Sequence, residues 1–183
     1  MAWANQQALK SQEYRCGHCG YIVASDRGYA PSQGGGRCIY LCPHCEKPSF
    51  FDELNRQHPG VAPGDSVLHV PKDLAQLYLE ARNCCSVSAY TASVLASRKM
   101  LMNIAVQQGA KEGLKFIEYV EYLATNGFIP PNGKSWVDHI RKKGNEATHE
   151  IALMTQADSN ELIVFTEMLL KFIFEFPNRV PGA

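Results

Sequence analysis

Hydrophobic positions along the chain keep two different rhythms. Before about residue 53 they come in short runs bounded by turn formers, GYIVA, RCIYLC and KPSFF. Runs this short, rich in β-branched and aromatic residues, predict strands. Beyond Pro71 the apolar residues recur every three or four positions, the rhythm of helices. Leu74, Leu77, Tyr78, Ala81 and Cys84 form the first stripe, with Asp73 in its opening turn. Ser86-Val87-Ser88 interrupts it, and Ser88 is expected to cap a second helix that carries Val94, Leu95, Leu101, Met102, Ala105 and Val106. Gly109 is the expected C-cap. A third helix bears Leu114, Ile117, Val120 and Leu123 and stops at Asn126-Gly127, before Pro130-Pro131. A fourth begins near Asn132, with Trp136, Val137 and Ile140 on its apolar edge. The fifth carries Leu162, Phe165, Met168, Leu169, Phe172, Ile173 and Phe176 up to Pro177, a stripe that reads as core.

Turn formers concentrate between these two regimes, at Pro59, Gly60, Pro63, Gly64 and Pro71. The expected organisation is therefore a small β ribbon over residues 13–53, a linker over 54–71 and an all-α domain over 72–183. The fold class is mainly α, a bundle of about five helices preceded by the ribbon.

Chemistry enters through the ribbon. Cys16-Gly17-His18-Cys19 and Cys42-Pro43-His44-Cys45 are separated by 22 residues. Each CxxC makes a tight turn that points two sulfurs inward, and four thiolates fill a tetrahedral shell around one ion. A filled shell leaves no position for water or substrate, so the metal is expected to be structural Zn2+, with rubredoxin-like iron in the same knuckles as the alternative. So small a unit buries too little apolar surface to fold alone, and the metal should supply most of its stability. His18 and His44, inside the knuckles, read as exposed turn residues, and Cys38 as a strand residue. The loop containing Gly34, Gly35 and Gly36 lacks the following helix and Lys-Ser/Thr pair of a phosphate cradle. Tyr21, Tyr29, Tyr40 and Phe51 could stack on bases or fill the ribbon's core, and at least half are expected in the core.

Composition narrows the classes. The 183 residues carry 18 basic and 18 acidic side chains, and 45% of the chain is apolar. Residues 1–60 hold six Lys/Arg against five Asp/Glu, and 61–183 hold twelve against thirteen, so neither part is a broadly basic nucleic-acid binder. The local basic cluster is Lys134, Arg141, Lys142 and Lys143. MAWANQQALK lacks a signal-peptide pattern, and ELIVFTEMLLKFIFEF is interrupted by Glu161, Glu167, Lys171 and Glu175, so no membrane span is expected. Seven cysteines, including adjacent Cys84 and Cys85, suit a reducing cytoplasm in which four hold metal.

Three segments, IYLCPHC, VPKDLAQLYLEARNC leading into AYTASVLASRKML, and HIRKKGNEATHE, resemble the prokaryotic family known as domain of unknown function 4145, within the HEPN-like group of helical domains. The resemblance implies a HEPN-like bundle, a homodimer, and a place in prokaryotic systems such as anti-phage defence or phage. It also implies that an Arg and a following His in the last segment form a metal-independent ribonuclease site. There His149 would assist attack of the ribose 2′-hydroxyl on the adjacent phosphate, and Arg141 would stabilise the charge that develops. This chain departs from the pattern, since seven residues separate Arg141 from His149 and Lys142 stands at the family spacing. On a continuous helix Lys142 and His149 would lie within about 20° of each other, flanked by Asn145 and Glu146, with Arg141 about 80° away. Lys lacks the bidentate fork of Arg. Where family members often carry an acid after RxxL, this chain reads Arg98-Lys99-Met100-Leu101-Met102.

The competing reading of GNEATH is structural. Gly144 would end a helix, Asn145 would cap the next, and His149 would bond a backbone carbonyl. Two functions follow. One is a non-catalytic or weakly catalytic sensor or adaptor, in which the bundle binds RNA, a nucleotide or a protein and the ribbon adds a docking surface. The other is a HEPN-type endoribonuclease using Arg141, Lys142, Asn145 and His149. The spacing and neutral charge favour the first, and the polar face at 141–149 favours the second.

Overall fold

The computed structural model describes residues 3–32, 35–130, 136 and 153–179. The chain divides into two compact units, residues 1–62 and 63–183. Among the described residues a five-stranded antiparallel sheet is followed by four helices, so the chain is mixed α and β rather than a helical bundle with a minor appendage. The expected fourth helix, from Asn132 through Ile140, falls outside the described residues except for Trp136.

The first unit is a meander, β1 (Gln7–Arg15), β2 (Ile22–Tyr29), β3 (Cys38–Leu41), β4 (Pro48–Phe51) and β5 (Gln57–His58), with strands adjacent in that order. β2, β3 and β4 coincide with the three apolar runs. β1 gave no such signal, because QALKSQEYR is an edge strand that buries only Tyr14 fully. Its pairing with β2 also slips between Ala8 and Gln12, which breaks any strict alternation. Tyr40 fastens this bulge by donating its hydroxyl to the Lys10 carbonyl at 3.0 Å. One face of the sheet gathers Tyr14, Tyr40 and Phe51, whose ring centres lie 5.2 to 6.2 Å apart in tilted and edge-to-face contacts. Of the four aromatics in question, Tyr40 and Phe51 are therefore core; Tyr21 is 58% exposed and Tyr29 half-buried.

The second unit contains α1 (Lys72–Ser86), α2 (Tyr90–Gln107), α3 (Phe116–Thr125) and α4 (Gln156–Leu170). α2 is central and packs against each of the other three. It presents Met100, Leu101, Ile104 and Ala105 to Val120 and Leu123 of α3 and to Ile163, Phe165, Leu169 and Leu170 of α4, all fully buried. Trp136 packs edge-on against Phe165 at 5.1 Å. Ser88 does not cap α2. It takes a left-handed φ of 63° in the turn, Ala89 occupies the cap position, and no side chain bonds there. α4 instead has a reciprocal cap, in which Thr155 Oγ1 accepts the Asp158 N–H at 3.3 Å and Asp158 accepts the Thr155 N–H at 2.9 Å.

Residues 63–70 run along the helical unit as a strap. Arg82 donates to the carbonyls of Pro63 and Gly64 at 2.7 and 2.6 Å. Glu167 accepts the Asp65 N–H and buried Glu175 the Leu68 N–H, each at 3.0 Å. Lys171 and Arg179 pair with these two carboxylates, so charges alternate at four-residue spacing along 167–179. Glu175 sits in a widened turn after α4, Lys171–Glu175, closed by the Phe176 N–H on the Lys171 carbonyl at 2.8 Å.

Candidate metal centre

In an antiparallel meander alternate turns fall at the same end of the sheet. The β1–β2 and β3–β4 connections therefore meet, and these are the two knuckles. The sulfurs of Cys16, Cys19, Cys42 and Cys45 all lie within 4.8 Å of one another. Cys16 Sγ is 3.8 Å from Cys45 Sγ, and Cys19 Sγ is 3.8 Å from Cys42 Sγ. A tetrahedron with metal–sulfur bonds of about 2.3 Å has edges of about 3.8 Å, so these cross-knuckle pairs already stand at the separation that a zinc shell requires. A disulfide would need roughly 2 Å. The donor set fits a closed, four-coordinate soft-metal site.

The two knuckles are built alike. The Cys16 carbonyl accepts the Gly20 N–H at 2.9 Å and the Cys42 carbonyl the Glu46 N–H at 2.8 Å. The Cys16 N–H reaches the Tyr21 carbonyl and the Cys42 N–H the Lys47 carbonyl, at 2.8 and 3.0 Å. The residue after each second cysteine is left-handed, Gly20 with φ 76° and Glu46 with φ 58°. Each sulfur faces the backbone N–H two residues on: His18 N lies 3.4 Å from Cys16 Sγ, and the N–H groups of Tyr21, His44 and Lys47 serve Cys19, Cys42 and Cys45. Donors so placed stabilise thiolates and orient them towards a shared centre.

Proton affinities are uneven across the cluster. Burial, reinforced by neighbouring thiols, pushes Cys45 up to about 12 and raises Cys19. Burial also opposes ionisation of Cys42, but the N–H groups of Cys45 and His44 and the adjoining thiols outweigh it and hold Cys42 below the ordinary thiol value. Metal entry must displace the remaining protons, so affinity for the ion falls as the solution is acidified.

Neither knuckle histidine joins the sulfurs. His18 is exposed and its Nε2 lies 2.9 Å from the Pro48 carbonyl, tying the first knuckle to β4. His44 stacks on Tyr21 with ring centres 3.8 Å apart and planes 19° apart, so an exposed π pair bridges the two knuckles. Cys38 belongs to β3 and packs half-buried against the core beside the cluster. Sequence reasoning missed the close support beneath Gly17, where a Cβ would lie 2.3 Å from the Pro59 carbonyl and 2.6 Å from that of Gly60. No local pattern announces that contact, since it joins residues more than forty positions apart. Trp3 was missed too; its indole N–H donates to the Glu46 carbonyl at 2.7 Å.

Arg141, Lys142, Asn145 and His149, the sequence-predicted ribonuclease residues, lie outside the described residues. No helix among the described residues is long and apolar enough to cross a membrane. Comparison with curated proteins and with solved structures finds no match. A family model described as "Domain of unknown function (DUF4145)" matches residues 79–181, from within α1 to beyond α4 and outside the unit that holds the four-cysteine cluster. With more than half of its length matched, the chain belongs to the DUF4145 family.

Proposed function

We propose that the protein is a two-part, nucleic-acid- or nucleotide-linked sensor or adaptor of a prokaryotic defence or phage system, with a HEPN-like helical unit and a ribbon closed by structural Zn2+. The carrying observation is the sulfur cluster. Four cysteines whose sulfurs lie within 4.8 Å of one another, two pairs at 3.8 Å, would fill every coordination position, so the ion would hold a surface in shape and offer no open site for chemistry. A metal centre built only for shape suits a unit whose work is recognition. The exposed Tyr21–His44 pair on the knuckles supplies a surface for a protein partner. The nucleic-acid or nucleotide link rests on the HEPN-like resemblance of the DUF4145 unit, as does the expectation of a homodimer.

The test is direct. The purified chain is denatured and the supernatant examined at 260 nm and by mass spectrometry, while end-labelled RNA is incubated in chelator with the native protein and with His149→Ala. A bound nucleotide, or RNA retained without cleavage, is the expected result. Cleavage by the native protein that leaves cyclic phosphate ends and disappears in His149→Ala would overturn the adaptor reading in favour of the ribonuclease.

A further inference from the structure

Arg98 extends from α2 over the first residue of α3. Its guanidinium carbon lies 4.4 Å above the centre of the Phe116 ring, which is itself buried. The positions one turn away on α2, Val94 and Leu101, are buried, and Arg98 is half-buried. Burial holds the guanidinium below its ordinary proton affinity. Among the described residues Arg98 makes neither a hydrogen bond nor an ion pair. Glu118, two residues beyond Phe116, turns its carboxylate to the Lys115 N–H at 2.7 Å and closes the first turn of α3. Lys99 beside Arg98 and Lys115 beside Phe116 are exposed.

A guanidinium stacked on a ring has one face covered, while its five N–H donors project from the edge of the plane. Phe116 thus lies against one side of the Arg98 guanidinium, and among the described residues no acceptor meets its donors. A partly desolvated cation gains more from a counter-anion than an exposed one does, because water screens the pair less. Lys99 and Lys115, exposed and adjacent in sequence to Arg98 and Phe116, add positive charge to these segments, which suits a multiply charged anion.

We propose that Arg98 is an anion receptor of the helical unit and takes phosphoryl oxygens edge-on while Phe116 holds its plane. The inference rests on the nucleotide or nucleic-acid reading above and names the chemical group that the helical unit contacts.

The experiment uses the full chain as wild type, Arg98→Met and Arg98→Lys, each checked by far-UV circular dichroism. Met preserves an apolar stem over Phe116 and removes the charge; Lys keeps the charge and loses the fork. Inorganic pyrophosphate is titrated in thermal melts, and a fluorescein-labelled single-stranded RNA is titrated by anisotropy. Pyrophosphate is expected to raise the Tm of the wild type and not of Arg98→Met, with RNA affinity at least about tenfold weaker in Arg98→Met and intermediate in Arg98→Lys. RNA bound equally by all three would overturn the role of Arg98 and leave the nucleic-acid reading standing. Pyrophosphate stabilisation confined to the wild type and Arg98→Lys, with no RNA bound, would uphold Arg98 as an anion receptor and overturn RNA as the ligand. Failure of both probes on the wild type would overturn both.

Discussion

With the proposed zinc in the four-cysteine cluster, chelation should unfold the sheet unit and leave the helical unit folded. The apolar core of residues 1–62 centres on Tyr14, Tyr40 and Phe51, each fully buried. At about 1.5–3 kcal/mol for each such side chain, the three contribute on the order of 5–9 kcal/mol. A structural zinc contributes about 10–16 kcal/mol at neutral pH, so the ion outweighs the core. The helical unit, with Met100, Leu101, Ile104, Val120, Leu123, Ile163, Phe165, Leu169 and Leu170 all fully buried, has no such dependence. The chain holds two tryptophans, and they report separately. Trp3 bonds the carbonyl of Glu46 directly after the second knuckle, and Trp136 packs on Phe165. In a Trp136→Phe background, chelation or Cys42→Ser should shift the Trp3 emission to the red and collapse its near-ultraviolet signal. The helical ellipticity at 222 nm should persist to a separate, higher melting transition. Unchanged Trp3 emission in protein shown by elemental analysis to hold no metal would refute the argument, because the aromatic core would then suffice alone.

Three further outcomes follow from single contacts. The left-handed position after each second cysteine carries Gly20 in one knuckle and Glu46 in the other, so Gly20→Ala should cost about 1 kcal/mol and Glu46→Gly should leave stability unchanged or raise it by up to about 1 kcal/mol, measured by chelator-dependent melting. At Gly64 a Cβ would lie 2.6 Å from Tyr78 Oη and 2.7 Å from Glu167 Oε2 at φ 72°, so Gly64→Ala should destabilise the helical unit by about 1–3 kcal/mol in urea unfolding. Glu175 is held below the usual carboxylate range chiefly by the Leu68 N–H, aided by Arg179 and Lys171. A depressed carboxyl contributes stability above its unfolded value of about 4.3 and loses it as pH falls through the folded value. Glu175→Gln should therefore lower the Tm at pH 7, and the gap to wild type should close below about pH 4; a gap that persists in acid would show that packing, not charge, is responsible.

Sequence alone determined whatever local chemistry dictates. Two CxxC turns carry their own geometry, so the clustering of the four cysteines was legible from spacing, and the periodic stripes placed four helices within a few residues. The runs at Ile22, Cys38 and Pro48 marked the inner strands because they are apolar. β1 was not legible, since an edge strand with a bulge needs little apolar pattern, and Ser88 misled because its hydroxyl favours a cap that the left-handed turn there does not build. Only the tertiary structure decided what depends on partners distant in the chain. It brought the knuckles to one end of the sheet with sulfurs at 3.8 Å, put Tyr40 and Phe51 inside and Tyr21 outside, and sewed residues 63–70 to Glu167 and Glu175. It also set Arg98 over the Phe116 ring. Spacing can say that a residue is able to ligate, cap or pair; whether it does so depends on which groups the folded chain brings within a few ångströms, and those contacts leave no local trace.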